Sequence, residues 1–218
     1  MWASAGLGAA SLGVFLKLSQ ELLSASGAPS WMNGLDQAAI AFVLSVRSPW
    51  LTSAAIEVTA LGTPTVLGAL VIVAAVALRL SRDRLGAILL GACAAGAIGW
   101  TSLLKNLIER ERPPLAVRLV STSGFSYPSG HSLASASVLA ALALIVARHV
   151  TWRAQQILTF VVTGVAIVAV ALSRVYLGVH YLSDVAAGTS FGLAWAFVSV
   201  AVLSAIHDRR TKQLPHAR

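Results

Sequence analysis

The stretch Ser173-Arg174-Val-Tyr-Leu-Gly-Val-His180-Tyr-Leu-Ser-Asp184 sets an arginine, a histidine and an aspartate between two long apolar segments. His180 and Asp184 stand four residues apart, so on a helix they share one face and their side chains meet. A carboxylate beside an imidazole fixes its tautomer and stabilises the imidazolium, which suits a histidine nucleophile or general base. Arg174 offers a rigid fork of donors that matches a phosphate. Upstream, Lys105-Asn-Leu-Ile-Glu-Arg-Glu-Arg112-Pro113 adds cations, and Tyr127-Pro128-Ser129-Gly130-His131 adds a second histidine. Phosphoryl transfer needs charge neutralisation and an aligned nucleophile more than covalent machinery. Lys105, Arg112 and Arg174 supply three cations from separate places in the chain. Ser129-Gly130-His131 opens a helix after Pro128, where free N–H groups bind anions and Gly130 admits a phosphate to the backbone. Ser129 is equally suited to cap that helix, and the two roles are compatible.

Taken in order, the three stretches read K-x6-R-P from Lys105 to Pro113, P-S-G-H from Pro128 to His131, and S-R-x5-H-x3-D from Ser173 to Asp184. This order resembles the signature of the type 2 phosphatidic acid phosphatase superfamily of lipid phosphatases, with no departure at a functional position. The resemblance implies that His180 attacks phosphorus and becomes a phosphohistidine, oriented by Asp184. It implies that His131 protonates the leaving oxygen and then helps water attack. Lys105, Arg112, Ser129, Gly130 and Arg174 would hold the phosphate oxygens, with no metal and no cofactor. Alone, Lys105 reads as a residue snorkelling from a helix end; beside the complete motif it reads as a ligand. His149, His207 and His216 are turn and tail residues among other charges. Glu109, Arg110 and Glu111, at variable positions, are assigned a solvated face or local ion pairs. Tyr127, Tyr176 and Tyr181 are expected as interfacial anchors, and Asp36 and Glu57 receive no role.

The elements that must carry these residues are membrane helices. Of 218 residues, 57% are hydrophobic and 11% charged, against about a quarter charged in soluble domains. The length suits one domain, 1–218. The single cysteine, Cys93, excludes an internal disulfide, and neither zinc spacing nor a P-loop is present. The net charge of +8 sits in short clusters between apolar spans, which reads as topology signal rather than nucleic-acid binding.

Residues 1–16 are apolar without a basic start, so an uncleaved first transmembrane helix is expected rather than a signal peptide. A turn-rich connector covers 24–30, and 36–46 reads as a short interfacial helix with Arg47 at its end, separated from the next apolar segment by Pro49. Residues 58–78, 85–104, 154–173 and 185–206 are charge-free, each near the ~20 residues a span needs; Gly62 and Pro64 are expected to delay regular helix in the first of these. Residues 132–147 add another, giving an all-α bundle of six transmembrane helices with a short interfacial helix before the second span. Gly188 and Gly192 form a G-x-x-x-G that permits close packing, including a homodimer.

With six spans, the basic turns at 79–84 and 148–153 lie with both termini, and the three motifs lie opposite. The positive-inside rule makes the basic side cytoplasmic and the motif side extracytoplasmic. Lys105, Arg110, Arg112 and Arg118 oppose this count, and as phosphate ligands they would be discounted. The expected protein is a metal-independent phosphatase of the cytoplasmic membrane, acting on phosphatidic acid, phosphatidylglycerol phosphate or, with slight preference, a polyprenyl diphosphate. Its substrate is expected to arrive through the bilayer, beside 36–46. The rival from another class is a non-enzymatic lipid-phosphate binder or transporter. A soluble vanadate haloperoxidase, which shares the cationic pocket, disagrees with the spans.

Overall fold

The computed structural model describes residues 2–24 and 29–213. Most of the expected connector (25–28) and the end of the basic tail, with His216 and Arg218, lie outside these residues. The side chains of His207, Arg209, Arg210 and Lys212 lie outside the described ones as well. Among the described residues all regular structure is helical: α1 (Trp2–Leu23), α2 (Ser30–Val46), α3 (Pro49–Ala60), α4 (Pro64–Leu80), α5 (Arg84–Ile108), α6 (Gly130–His149), α7 (Arg153–Tyr176) and α8 (Leu182–Gln213).

Punctuation in the sequence sets these boundaries. Ser48 and Thr63 each accept a backbone N–H from the third residue on, and Pro49 and Pro64 occupy the first helical turns they cap. Pro49 therefore opens a helix as well as ending the previous one. The expected span at 58–78 is divided instead: α3 and α4 meet at a 44° bend across the break after Ala60. The interfacial helix at 36–46 begins earlier, at Ser30, which places Asp36 in its second turn, buried against α8. Its partners there are Ser183 and Arg110.

Among the described residues, four helices are long and apolar enough to cross a bilayer: α5, α6, α7 and the segment Leu182–Ile206 of α8. The bent pair α3–α4 brings the number to five. The expected first span falls in α1, which carries Lys17 and Glu21 in its second half and is not among them.

Helix α6 is the centre of the bundle, packed by α8, α7, α5 and α4. Its Ala136, Ala140, Ala141 and Ala143 are buried, and small residues on the facing helix let the backbones approach. A Cβ on Gly188 would meet the Ser129 carbonyl, and one on Gly192 would meet the Leu133 carbonyl and the Ala136 side chain. The G-x-x-x-G face is therefore used inside the chain, against α6, and is not the exposed surface a homodimer would need. Helix α7 turns Leu158, Val161, Val162, Val165 and Val168 outward, as a lipid-facing helix does.

Candidate active site

The ends of four helices converge on one side of the bundle. Helix α5 stops where Glu109 takes a left-handed conformation (φ 48°), and the following chain carries Arg110 and Arg112 back over the bundle. The end of α7 is a Schellman turn: Gly178 N–H donates to the Val175 carbonyl at 2.9 Å and Val179 N–H to the Arg174 carbonyl at 3.2 Å. Gly178 has φ 70°, and a Cβ there would strike the Val117 carbonyl. Only glycine fits both demands. The turn delivers His180, and α8 begins two residues later.

His180 and Asp184 meet as their spacing predicts, although only Asp184 is helical. His180 Nδ1 lies 3.3 Å from Asp184 Oδ2, and the same oxygen accepts the Tyr181 N–H at 2.9 Å, so Asp184 caps its own helix. Ser126 Oγ donates to that oxygen too. The carboxylate fixes the tautomer with the proton on Nδ1, leaving the Nε2 lone pair toward Arg112 Nη1, 3.2 Å away. His180 is 2% exposed. Burial pushes its pKa down to about 4, against the pull of Asp184 and helped by the positive charges of Arg112 and Lys105. The imidazole is thus neutral at pH 7, the form that can attack.

The other motif residues gather around it. Lys105 Nζ donates to the Phe125 carbonyl. Arg112 is laced to the backbone through Gly124, Ser123 and Val179. Burial holds its pKa below the ordinary value despite Asp184. Arg174, 6% exposed, donates from Nη1 to Thr59 Oγ1 at 2.7 Å, while its buried Nε has no partner among the described residues. A buried guanidinium with a donor to spare is what an anion site offers before the anion arrives. His131 lies close enough to Arg174, His180, Arg112 and Lys105 for their charges to act on it. Ser129 accepts from Ser132 N–H at 3.5 Å as an N-cap and donates its own N–H to the Asp184 carbonyl at 3.0 Å. Gly130 packs on α5, where a Cβ would lie 3.0 Å from the Thr101 methyl.

Several contributors were not read from the sequence. Asp36 accepts Ser183 N–H at 2.9 Å, Ser183 Oγ at 2.7 Å and Arg110 Nη2 at 2.7 Å. Arg110 Nη1 reaches Asp184 Oδ1 at 2.6 Å, and its guanidinium lies 4.3 Å from the Tyr181 ring centroid. Of the two roles expected for Arg110, the ion pair holds and the solvated face does not: burial lowers its pKa, but Asp184 and Asp36 together lift it above the ordinary value. Tyr127 is no interfacial anchor either, because it is fully buried and hydrogen-bonds Ser19 at 2.9 Å. Tyr176 bonds Ser48 and Thr52, and Glu57 is exposed. A carboxylate inside an apolar stretch was the available signal for Asp36; nothing in the spacing marked Thr59.

Two cavities flank the cluster. One, of about 410 Å³, runs between α4, α5 and α6, with His131 and Gly62 at its polar end and Leu67, Val71, Ile98 and Ala134 along its walls. The other, of about 340 Å³, lies beside α2 and is lined mostly by polar residues, Asn33, Asp36, Gln37, Arg110, Glu111 and Tyr181, with Leu22 and Ile108. The apolar opening is thus on the α4–α5 side and not beside 36–46, where the lining is mostly polar. Among the described residues, no three His, Cys, Asp or Glu side chains gather as metal ligands.

The geometry agrees with comparisons to known proteins. The family model of the PAP2 superfamily matches residues 84–208. Phosphatidylglycerophosphatase B of Bacillus subtilis is 32% identical over 178 residues, covering 81% of this chain and 87% of that protein. Decaprenylphosphoryl-5-phosphoribose phosphatase of Mycobacterium tuberculosis is 34% identical over 134 residues, 58% of this chain and 66% of that one. The crystal structure of a transmembrane PAP2 type phosphatidylglycerolphosphate phosphatase from Bacillus subtilis superposes with TM-score 0.81 at 29% identity, covering 91% of this chain and 96% of that one. Aquifex aeolicus LpxE shares the fold, with TM-score 0.61 at 20% identity over 77% of this chain and 95% of that one. With the motifs, the fold and these relatives in agreement, the chain belongs to the PAP2 superfamily and is a multi-pass membrane phosphatase.

Proposed function

We propose that the protein removes a terminal phosphate from a membrane lipid by transfer to His180 Nε2. The observation that supports this most is the polarity of the His180 ring: Nδ1 against Asp184, Nε2 against the cations. In the first step the Nε2–P bond forms and the bond from phosphorus to the lipid oxygen breaks. His131 gives its proton to the departing oxygen. The phosphorylated ring, still protonated at Nδ1, is cationic and is stabilised by Asp184. In the second step water attacks phosphorus, His131 takes its proton, the N–P bond breaks and phosphate leaves. Lys105, Arg112 and Arg174 neutralise the oxygens throughout, and the start of α6, through the Ser129 hydroxyl and the Gly130 N–H, adds fixed dipoles. A substrate phosphate would take over the Arg112 donor that rests on Nε2 in the free enzyme.

The lipid nature of the substrate is supported by the apolar cavity that begins at His131. A phosphate at the motif end and a hydrocarbon chain along α4 and α5 would occupy both parts at once. The names of the relatives divide between a glycerophospholipid and a polyprenyl-linked sugar, so the proposed class is a lipid-borne terminal phosphate, with polyprenyl diphosphate retained for comparison. In this reading α1 supplies the sixth crossing, and the site faces the extracytoplasmic side of the cytoplasmic membrane. Arg110 and Arg118 weigh little against that orientation, because both are held by internal partners.

The test is phosphate release by purified protein from phosphatidic acid, phosphatidylglycerol phosphate and a polyprenyl diphosphate, with rapid acid-free quenching to trap labelled phosphohistidine. Release without any label on His180, under conditions where label is trapped on a known phosphohistidine enzyme, would overturn the covalent route. In a variant with Cys93 replaced, a cysteine at position 121 should react with an impermeant reagent on intact cells, and one at 81 only after permeabilisation.

A further inference from the structure

Arg110 stands at a variable position of the first motif and Asp36 outside all three, yet both are built into the back of the site. Asp36 is 1% exposed, and both its oxygens are engaged. Arg110 is the bridge: Nη2 on Asp36, Nη1 on Asp184, with Ser183 Oγ 2.7 Å from each of Arg110 Nη1 and Asp36 Oδ2. The chain of contacts runs from α2 through Arg110 to the α8 carboxylate and ends on His180. Buried charges are costly to desolvate, and removing one member leaves the others uncompensated.

We infer that Asp36 and Arg110 are positioning residues which set how much negative charge Asp184 presents to His180, Arg110 withdrawing it and Asp36 restoring it. The inference rests on His180 as the nucleophile. It concerns residues acting through Asp184, not groups that touch substrate. The other charges that act on His180 are the cations Lys105 from α5 and Arg112 from the following loop, and Arg174 from α7 acts on its neighbour His131 from α6. Asp184 is the carboxylate that touches it. Modulating that single counter-charge is therefore an effective way to tune the basicity of the ring, and the tuning has a definite sign. Removing the positive charge of Arg110 makes the surroundings more negative and the ring more basic. Removing the negative charge of Asp36 does the reverse.

The experiment is the pH profile of kcat/KM, which reports groups in the free enzyme, for wild type, Asp36→Asn, Arg110→Gln and the double variant on one short-chain phosphatidic acid. Ionisation of the substrate is common to all four and cancels. The acid limb should move up in Arg110→Gln and down in Asp36→Asn, each by about one pH unit. It should return to the wild-type position in the double variant, which restores the net charge. A purely structural pair would lower activity without moving the limb, and that outcome overturns the inference. So do shifts of the same sign in both single variants. Arg110→Lys keeps the charge and should hold the limb in place even if the rate falls, which keeps the question decidable where Arg110→Gln folds poorly. Retained turnover in His180→Ala would instead overturn the site reading itself, and this inference with it.

Discussion

The molecule holds the same three residue types twice. At the motif end, Asp184 caps α8 and pairs with Arg110 and His180; at the other end, Asp83 caps α5 through Gly86 N–H at 2.8 Å and pairs with Arg148 and His149. The distances are similar: 2.6 and 3.3 Å in the first cluster, 3.2 and 3.0 Å in the second. Burial is not. Arg148 and His149 side chains are 46% and 54% exposed, whereas those of Arg110 and His180 are 13% and 3% exposed. Water screens the outer cluster, and exposed ion pairs contribute about 0–1 kcal/mol. In the inner one the charges act on each other through protein, and the arrangement decides which ring nitrogen carries a proton. An aspartate, an arginine and a histidine in contact are therefore not a site until the fold removes them from water and places further cations around them.

The sharpest way to break the comparison is to delete each histidine. His180→Ala should lower kcat by at least about 10³-fold, with phosphate still bound by the remaining cations. His149→Ala should leave turnover unchanged; equal losses would mean that burial is not what separates the clusters. Next come the carboxylates. Asp184→Asn should cost roughly 10²- to 10⁴-fold in kcat by releasing the tautomer, while Asp83→Asn should not alter kcat.

A smaller effect tests how far the inner cluster extends. Thr59→Val removes a side-chain hydrogen-bond partner of Arg174, and a hydrogen bond to a buried charge is worth roughly 1.5–3 kcal/mol. That predicts a loss of about ten- to a hundredfold in kcat/KM, carried mainly by KM. An unchanged KM would place Arg174 away from the phosphate.

The smallest concerns the outer cluster alone. Asp83→Ala should destabilise the protein by about 1 kcal/mol through loss of a helix cap, read as a lower Tm in detergent with kcat intact. Burial raises the Asp83 pKa, but the Gly86 N–H, His149 and Arg148 outweigh it, so the folded-state value is depressed. The stabilisation is then complete above the unfolded aspartate value of about 3.9 and is lost as pH falls through the folded value. The difference between wild type and variant should shrink below about pH 4.

The inner cluster was legible where its residues lie close in sequence and illegible where they do not. His180 and Asp184 announce each other by spacing, and Lys105, Arg112, Ser129, Gly130, His131 and Arg174 by motif. Asp36 finds Ser183 across 147 residues, and no period or local propensity encodes that pairing. Arg110 was read in part: the ion-pair alternative holds, but with Asp36 and Asp184 from α2 and α8 rather than with its charged neighbours, and a variable position gives no sign of those distant partners. Tyr127 was misread because aromatic residues gather at membrane interfaces on average, while this one is enclosed by α1. Gly62 and Pro64 marked a disturbance correctly, but only packing showed that α3 forms a helix ahead of it, carrying Thr59 to Arg174.

The glycine turn that ends α7 has a bearing on how this chain tolerates change in length. Arg174 supplies the carbonyl that closes the turn, Gly178 supplies the left-handed step, and His180 is the next residue after the N–H that completes it. The interval between the arginine and the histidine is thus a ruler made of backbone, and its five intervening residues are the number one Schellman turn consumes before His180 is presented. The ruler is also clamped from outside, since Leu119 N–H donates to the Leu177 carbonyl at 2.9 Å and Arg47 reaches the Val117 carbonyl. One residue inserted between 175 and 180 would leave every candidate site residue in the sequence but carry His180 and Asp184 out of register with Arg174.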